Sequence, residues 1–307
     1  MRHIETPART VNTIRFSPDG RRLHLLSHDT TRRFGRFHSA CSIDIRYGSL
    51  IAEVMLDPSG DYPSNAAIFS PDLRSAYRDC GGDYYTDIRK VELATGRERV
   101  LLQADFMHVW CLTITPNEHI LALGGVETGD DGGWGIRRVD VIHGTVLDLI
   151  RAVATCIAYS PDGRLLAEGG QLREGGPSSG IRIWSGKQLV EEFAEPARHL
   201  AWSPDERLAW GMGQQLNLAR PGTKEPVRTW TGSPGELSSL GFSPDGRLLL
   251  TGTDRGVCAL HDTTADQVRA TFDWGIGPIH SVTFSPDGLT CAAGGEGGQV
   301  VVWDVDA

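Results

Sequence analysis

Gly176-Pro177-Ser178-Ser179-Gly180 has the G-x-S-x-G spacing that presents a serine nucleophile where a strand turns sharply into a helix. Here it sits in a Gly/Ser-rich stretch between two strand-like segments, with no helical pattern after it. A loop is therefore expected, not a nucleophile. Glu127-Thr128-Gly129-Asp130-Asp131-Gly132-Gly133 offers carboxylates to a calcium ion. It lacks the alternating acidic positions and later Glu of a calcium loop, so a solvated loop is expected. Cys111, Cys156 and His199 recur at intervals of 45 and 43 residues, and two thiolates with an imidazole would suit zinc. The same recurring position holds Thr13, Ala66, Ser239 and Ser281 elsewhere, which points to a demand for a small or medium side chain. No P-loop, dinucleotide fingerprint, zinc-protease motif or C-x-x-C pair occurs. The expectation is no catalytic residue, no metal and no cofactor.

A second group of residues suits recognition better than catalysis. Residues 29–38 carry Arg32, Arg33 and Arg36 interleaved with Phe34 and Phe37. Further on come Tyr84 and Tyr85 beside Asp83, then Asp130, Asp131 and Trp134, then Arg173 and Glu174. Arg with exposed aromatic rings is the composition of interaction hot spots. Arg32, Arg33, Phe34, Arg36, Phe37, Tyr84, Tyr85, Asp131, Trp134 and Arg173 are accordingly expected to bind a protein partner. The net charge of −9 argues against a broad phosphate-binding surface, so nucleic acid is not expected as a partner. No apolar run is long enough for a membrane-spanning helix, so a membrane is not expected either. The N-terminal MRHIETPART lacks the apolar stretch of a signal peptide, and the six cysteines read as free thiols of a cytoplasmic protein.

The elements that position these residues are marked by a repeated turn. SPDG occurs at residues 17, 160, 243 and 285, and relaxed copies occur as FSPDL at 69, ITPNE at 114 and WSPDE at 202. Pro presets the second position of a type I turn, and Gly accepts the left-handed conformation that closes it, so each copy reads as a hairpin tip. The residues that precede the seven turns are Phe16, Phe69, Ile114, Tyr159, Trp202, Phe242 and Phe284, at intervals of 53, 45, 45, 43, 40 and 42. Their regular recurrence assigns these large side chains to a repeated core. A period near 43 with several strands per unit indicates a propeller array.

The sixth unit shows the plan. LSSLGF (237–242), RLLLTGT (247–253), VCALHD (257–262) and QVRATF (267–272) alternate as strands, with short connections between them, and predict a four-stranded antiparallel meander. Third strands elsewhere are DIRKVEL (87–93), GIRRVDV (135–141), IRIWS (181–185) and VVVWDV (300–305). The last unit stops after its third strand, and a spare strand, RHIET (2–6), begins the chain. Pairing the two would cover both open edges.

With its seven FSPDG-like landmarks and the dipeptide Trp303-Asp304, the chain resembles the WD-repeat β-propellers over essentially its whole length. Only one unit has the Trp-Asp pair itself; Val91-Glu92, Trp184-Ser185 and His261-Asp262 stand in related places, and the Gly-His pair of the family is missing throughout. The resemblance implies an all-β fold: one seven-bladed propeller over residues 1–307, four antiparallel strands per blade, closed by the N-terminal strand. It also implies a non-catalytic platform for protein–protein interaction. The alternative is an enzyme or a small-molecule or metal binder using the central channel, where Arg15 and His199 depart from an otherwise small, uncharged lining.

Overall fold

The computed structural model describes residues 1–7, 10–29, 36–56, 66–81, 85–105, 107–127, 133–171, 178–223, 226–265 and 267–306. For residues 28, 29, 36–38, 81, 85, 104, 105, 107, 127, 171, 178 and 179 only the backbone is described. The described residues form seven four-stranded sheets, and six of them use four strands consecutive in sequence. The seventh takes its outer strand, Arg2–Glu5, from the other end of the chain. The fold is a seven-bladed β-propeller, with blades numbered here from the sheet that begins at Thr10.

The chain divides into two compact units. Unit 1 is Met1–Leu56, Ala201–Arg220 and Pro226–Ala307; unit 2 is Asp57–Leu200 and Pro221–Glu225. Unit 1 thus holds blades 1, 6 and 7, and unit 2 holds blades 2, 3 and 4. In blade 6 the strands Leu237–Phe242 and Val257–Asp262 match the sequence reading, while the second begins at Leu248 and the fourth reaches Asp273. The third strand of blade 4 is longer than expected, Ser178–Ser185. Ser178 and Ser179 of the G-x-S-x-G pentapeptide therefore stand in a strand rather than a loop, paired with Gln171 and Gly170.

The turn chemistry explains why seven different sequences bend alike. In each landmark the hydroxyl of the first residue donates to the side-chain oxygen two residues on: Ser17 to Asp19 at 2.5 Å, Thr115 to Asn117 at 2.7 Å, Ser160 to Asp162 at 2.6 Å, Ser285 to Asp287 at 2.5 Å. That hydroxyl also accepts the backbone N–H that opens the next strand, as from Arg22, Ile120, Leu165 and Thr290. The Ser hydroxyl, followed by a backbone N–H, holds the carboxylates of Asp19, Asp162, Asp245 and Asp287 below their ordinary pKa. The residue after the acid takes positive φ in all seven. It is Gly20, Gly163, Gly246 and Gly288 in the SPDG copies, and Leu73 (56°), Glu118 (59°) and Glu206 (64°) in the relaxed ones. Those three are the only described non-glycine residues with positive φ.

Blades meet through a small residue on one side and an inner strand on the other. In unit 1, Ile14 N–H donates to Ser281 Oγ at 3.1 Å, and Val282 N–H to Ser239 Oγ at 3.1 Å. A Cβ on Gly294 would stand 2.5 Å from Ile14 Cδ1 and 2.8 Å from Val11 Cγ1. In unit 2 the same role falls to Gly124, where a Cβ would stand 3.0 Å from the Ala154 Cβ. The inner strands Met107–Ile114 and Cys156–Tyr159 run in the same sense: Cys111 meets Ala154, and Thr113 Oγ1 accepts from Tyr159 N–H at 3.4 Å. The landmark turns of blades 3 and 4 therefore lie at one end of unit 2, and the connections between second and third strands at the other.

Candidate functional site

Six of the sequence-predicted contact residues, Arg32, Arg33, Phe34, Tyr84, Asp131 and Arg173, lie outside the described residues. Arg36 and Phe37 open the third strand of blade 1, Arg36–Asp44, with their backbones opposite Asp29 and His28. Tyr85 opens the third strand of blade 2, Tyr85–Glu92, opposite Asp105 of the outer strand. The first pair belongs to unit 1 and Tyr85 to unit 2.

Trp134 is fully described. It opens the third strand of blade 3, Trp134–Asp140, opposite Val126, and is half-buried. Its ring stands against Trp110 of the inner strand, with centroids 4.7 Å apart and planes at 84°. Trp110 is 42% exposed. The edge-to-face arrangement is the favoured geometry for two electron-rich rings. It exists because Trp110 sits in a β-bulge: Val109 pairs with Gly125 and Cys111 with Gly124, leaving Trp110 without a cross-strand partner. The bulge turns the indole out of the ladder toward Trp134.

Trp110 went unrecognised in the sequence, although a signal was present. Inner strands in other blades shift register at the same point, around Asn12, Ser238 and His280. A large ring in a column otherwise polar marks an exposed aromatic rather than a core residue.

The interior offers groups with displaced pKa values but no open chemistry. Cys111 donates to the carbonyls of Gly124 and Ala154 at 3.9 and 3.7 Å, and Cys156 to those of Gly169 and Ala197 at 3.5 and 3.8 Å. Burial drives both thiols well above their ordinary range, which is the opposite of what a nucleophile needs. Each thiol fastens its inner strand to the backbone of the next. His199 is half-buried at the start of the strand His199–Trp202. Among the described residues no group of three or more His, Cys, Asp and Glu is arranged to hold a metal ion. The six cysteines are free.

Glu168 is fully buried, and burial pushes its carboxyl up to about 7 against the pull of Arg182, whose Nε stands 2.6 Å from Glu168 Oε1. Such a shift often marks a catalytic acid. Here the carboxylate has no access to solvent and stands opposite Arg182 in the ladder, so the pair is internal to blade 4. Blade 2 carries a comparable pair, with Arg78 Nη2 2.9 Å from both oxygens of Glu98. His261, in the place Trp303 takes in blade 7, is 7% exposed and meets Thr251 Oγ1 at 3.0 Å.

Comparison with known proteins finds partial similarities. The WD domain, G-beta repeat, matches residues 224–262 and 269–304. The serine-threonine kinase receptor-associated protein of Rattus norvegicus is 24% identical over 128 residues, 40% of this chain and 36% of that protein. The guanine nucleotide-binding protein subunit beta of Oryza sativa subsp. indica is 35% identical over 85 residues, 25% of this chain and 22% of the subunit. The corresponding subunit of Arabidopsis thaliana is 36% identical over 83 residues. The first of these matches spans about a third of the relative's length. Seven four-stranded blades and a seven-fold turn network make the chain a seven-bladed β-propeller, and the two matched segments in its C-terminal part are similar to WD repeats.

Proposed function

We propose that the chain is a non-catalytic scaffold that binds a protein partner through the loop end of its blades, with Trp110 and Trp134 in unit 2 as the anchor. The observation that carries this reading is the perpendicular indole pair, with Trp110 exposed and Trp134 half-buried. A partly exposed Trp on a rigid strand supplies large contact area with little side-chain entropy to lose. The relatives' names fit: one is a receptor-associated protein and another a subunit of a larger protein. In unit 2, Tyr84, Tyr85, Asp131 and Arg173 complete the proposed contact set; Arg32, Arg33, Phe34, Arg36 and Phe37, which belong to unit 1, are proposed as partner-binding residues of that unit. Six free thiols favour a reducing compartment, the cytoplasm.

The test is partner capture from the source cells by the wild-type chain and by Trp110→Ala and Trp134→Ala. Both variants should keep the wild-type melting temperature to within a few degrees and lose a partner that the wild type retains. Capture undiminished in both would remove the anchor from the interface.

A further inference from the structure

We propose that Arg182 is a proton-operated switch in blade 4: it pairs with buried Glu168 while that carboxylate is ionised, and with Glu192 on the outer strand once Glu168 is protonated. The inference stands apart from the scaffold reading. The three residues form one row across the sheet, with Glu168 opposite Arg182 and Arg182 opposite Glu192. Residues paired in this way share a face, with Cβ atoms about 4.5–5.5 Å apart. One cation thus stands between two carboxylates. The Glu168 side chain is wholly buried, that of Arg182 is 19% exposed, and Glu192 is exposed.

The geometry of the inner pair makes it easy to break. Arg182 Nε stands 2.6 Å from Glu168 Oε1, yet neither this nitrogen nor either Glu168 oxygen makes a well-aligned hydrogen bond. An arginine and a carboxylate ordinarily close on each other with two parallel bonds. Arg138 and Asp148 do so in blade 3, beside Tyr159 of blade 4, and in blade 2 Arg78 and Arg89 both hold Glu98. The surroundings of Glu168 disfavour charge. Ile157, opposite it on the inner strand, belongs to the apolar cluster of Ala122, Ile136 and Ile150. Its titratable neighbours on the two inner strands are the thiols of Cys156 and Cys111, which are themselves held neutral by burial. Burial raises the Glu168 carboxyl from 4.5 to about 7, with Arg182 pulling the other way and Glu192 adding to the rise. Both protonation states are therefore populated near neutral pH. When Glu168 takes up a proton, Arg182 loses its inner counter-ion, and Glu192 is the carboxylate beside it in the row. The move neutralises a charge on the outer strand, next to the exposed Leu189 and Val190, so proton uptake in the interior is read at the surface.

The experiment follows three NMR signals of the full chain from about pH 5.5 to pH 8.5. They are the side-chain carboxyl carbons of Glu168 and Glu192 and the Nε–H of Arg182, assigned through Glu168→Gln, Glu192→Gln and Arg182→Lys. All three should shift with one midpoint near 7. Glu192→Gln, a change at an exposed position, removes the second partner and one repelling charge, so the Glu168 midpoint should fall by about half a unit or more. Glu168→Gln should hold the Arg182 and Glu192 signals at their low-pH positions throughout. The proposal is overturned by no titration of Glu168 in this range, or by an Arg182 signal that stays still while Glu168 titrates. An unchanged midpoint in Glu192→Gln, or an Arg182 signal that still titrates in Glu168→Gln, overturns it equally.

Discussion

Tyr77 Oη donates to Glu118 Oε1 at 2.5 Å, joining the second strand of blade 2 to the landmark turn of blade 3. Lys90 Nζ reaches the same oxygen at 2.7 Å. Glu118 occupies a left-handed position, φ 59°, that four of the other landmarks fill with glycine. Strain at one residue is offset by two hydrogen bonds between blades.

Glu206 shares the strain without the reward, being exposed with φ 64°. Glu206→Gly should raise stability by about 0.5–1 kcal/mol, since relief of the left-handed conformation outweighs the added freedom of the unfolded chain. Glu118→Gly should lower it by about 1–2 kcal/mol, because two charge-assisted hydrogen bonds go with the side chain. Urea unfolding of the two variants gives the signs directly; the same sign in both refutes the assignment.

His261 sets a pH dependence. Burial lowers it from 6.5 to about 4, so it is neutral in the folded blade. Between those values the unfolded chain binds more protons, and stability rises with pH. The contribution is complete above pH 6.5 and falls away toward pH 4, with about 2 kcal/mol lost by pH 5. His261→Asn should remove that part of the difference between unfolding at pH 7.5 and at pH 5. An unchanged difference would place the titration elsewhere.

The N-terminal strand is a structural latch. Arg2–Glu5 pairs with Gln299–Val302 in register, and Ile4, 2% exposed, packs with Ile43, Val300 and Val302. Ile4→Ala should cost about 3 kcal/mol. Deletion of residues 1–8 should also expose the edge of the strand Gln299–Asp304 and raise aggregation, measured by light scattering. A truncated chain that melts like the full-length one would show the pairing to be dispensable.

Gly294 tests the blade seam. With a Cβ, it would press on Ile14 and Val11, both buried in the core. Gly294→Ala should destabilise by about 1–3 kcal/mol, and Ile14→Val in the same chain should return part of the loss. Additive losses in the double variant would deny the contact.

The fold was readable because its signals are local. Ser or Thr, with Asp or Asn two residues on, fixes each turn through bonds within five residues, so the landmarks survive even where Leu73, Glu118 or Glu206 replaces glycine. The unpaired strand at each terminus announced the latch. The seam positions were legible as a demand for small residues, but not the thiol-to-carbonyl bonds of Cys111 and Cys156, which depend on the neighbouring blade. Trp110 escaped because alternation along Met107–Ile114 assumes an unbroken register, and the bulge breaks it at that residue. Trp134 is expected as a contact residue from its place beside a long connection, whereas its contact with Trp110 depends on tertiary structure.

The most direct test of the scaffold claim places a photo-crosslinking benzoylphenylalanine at position 134, and in a second chain at position 164. Arg164 follows the landmark turn of blade 4, at the opposite end of unit 2, and its side chain is 85% exposed. In the source cells, position 134 should crosslink to a discrete protein partner, position 164 should not, and excess wild-type chain should suppress the adduct where excess Trp110→Ala does not. Equal suppression by Trp110→Ala, or the same partner captured from position 164, would contradict the account.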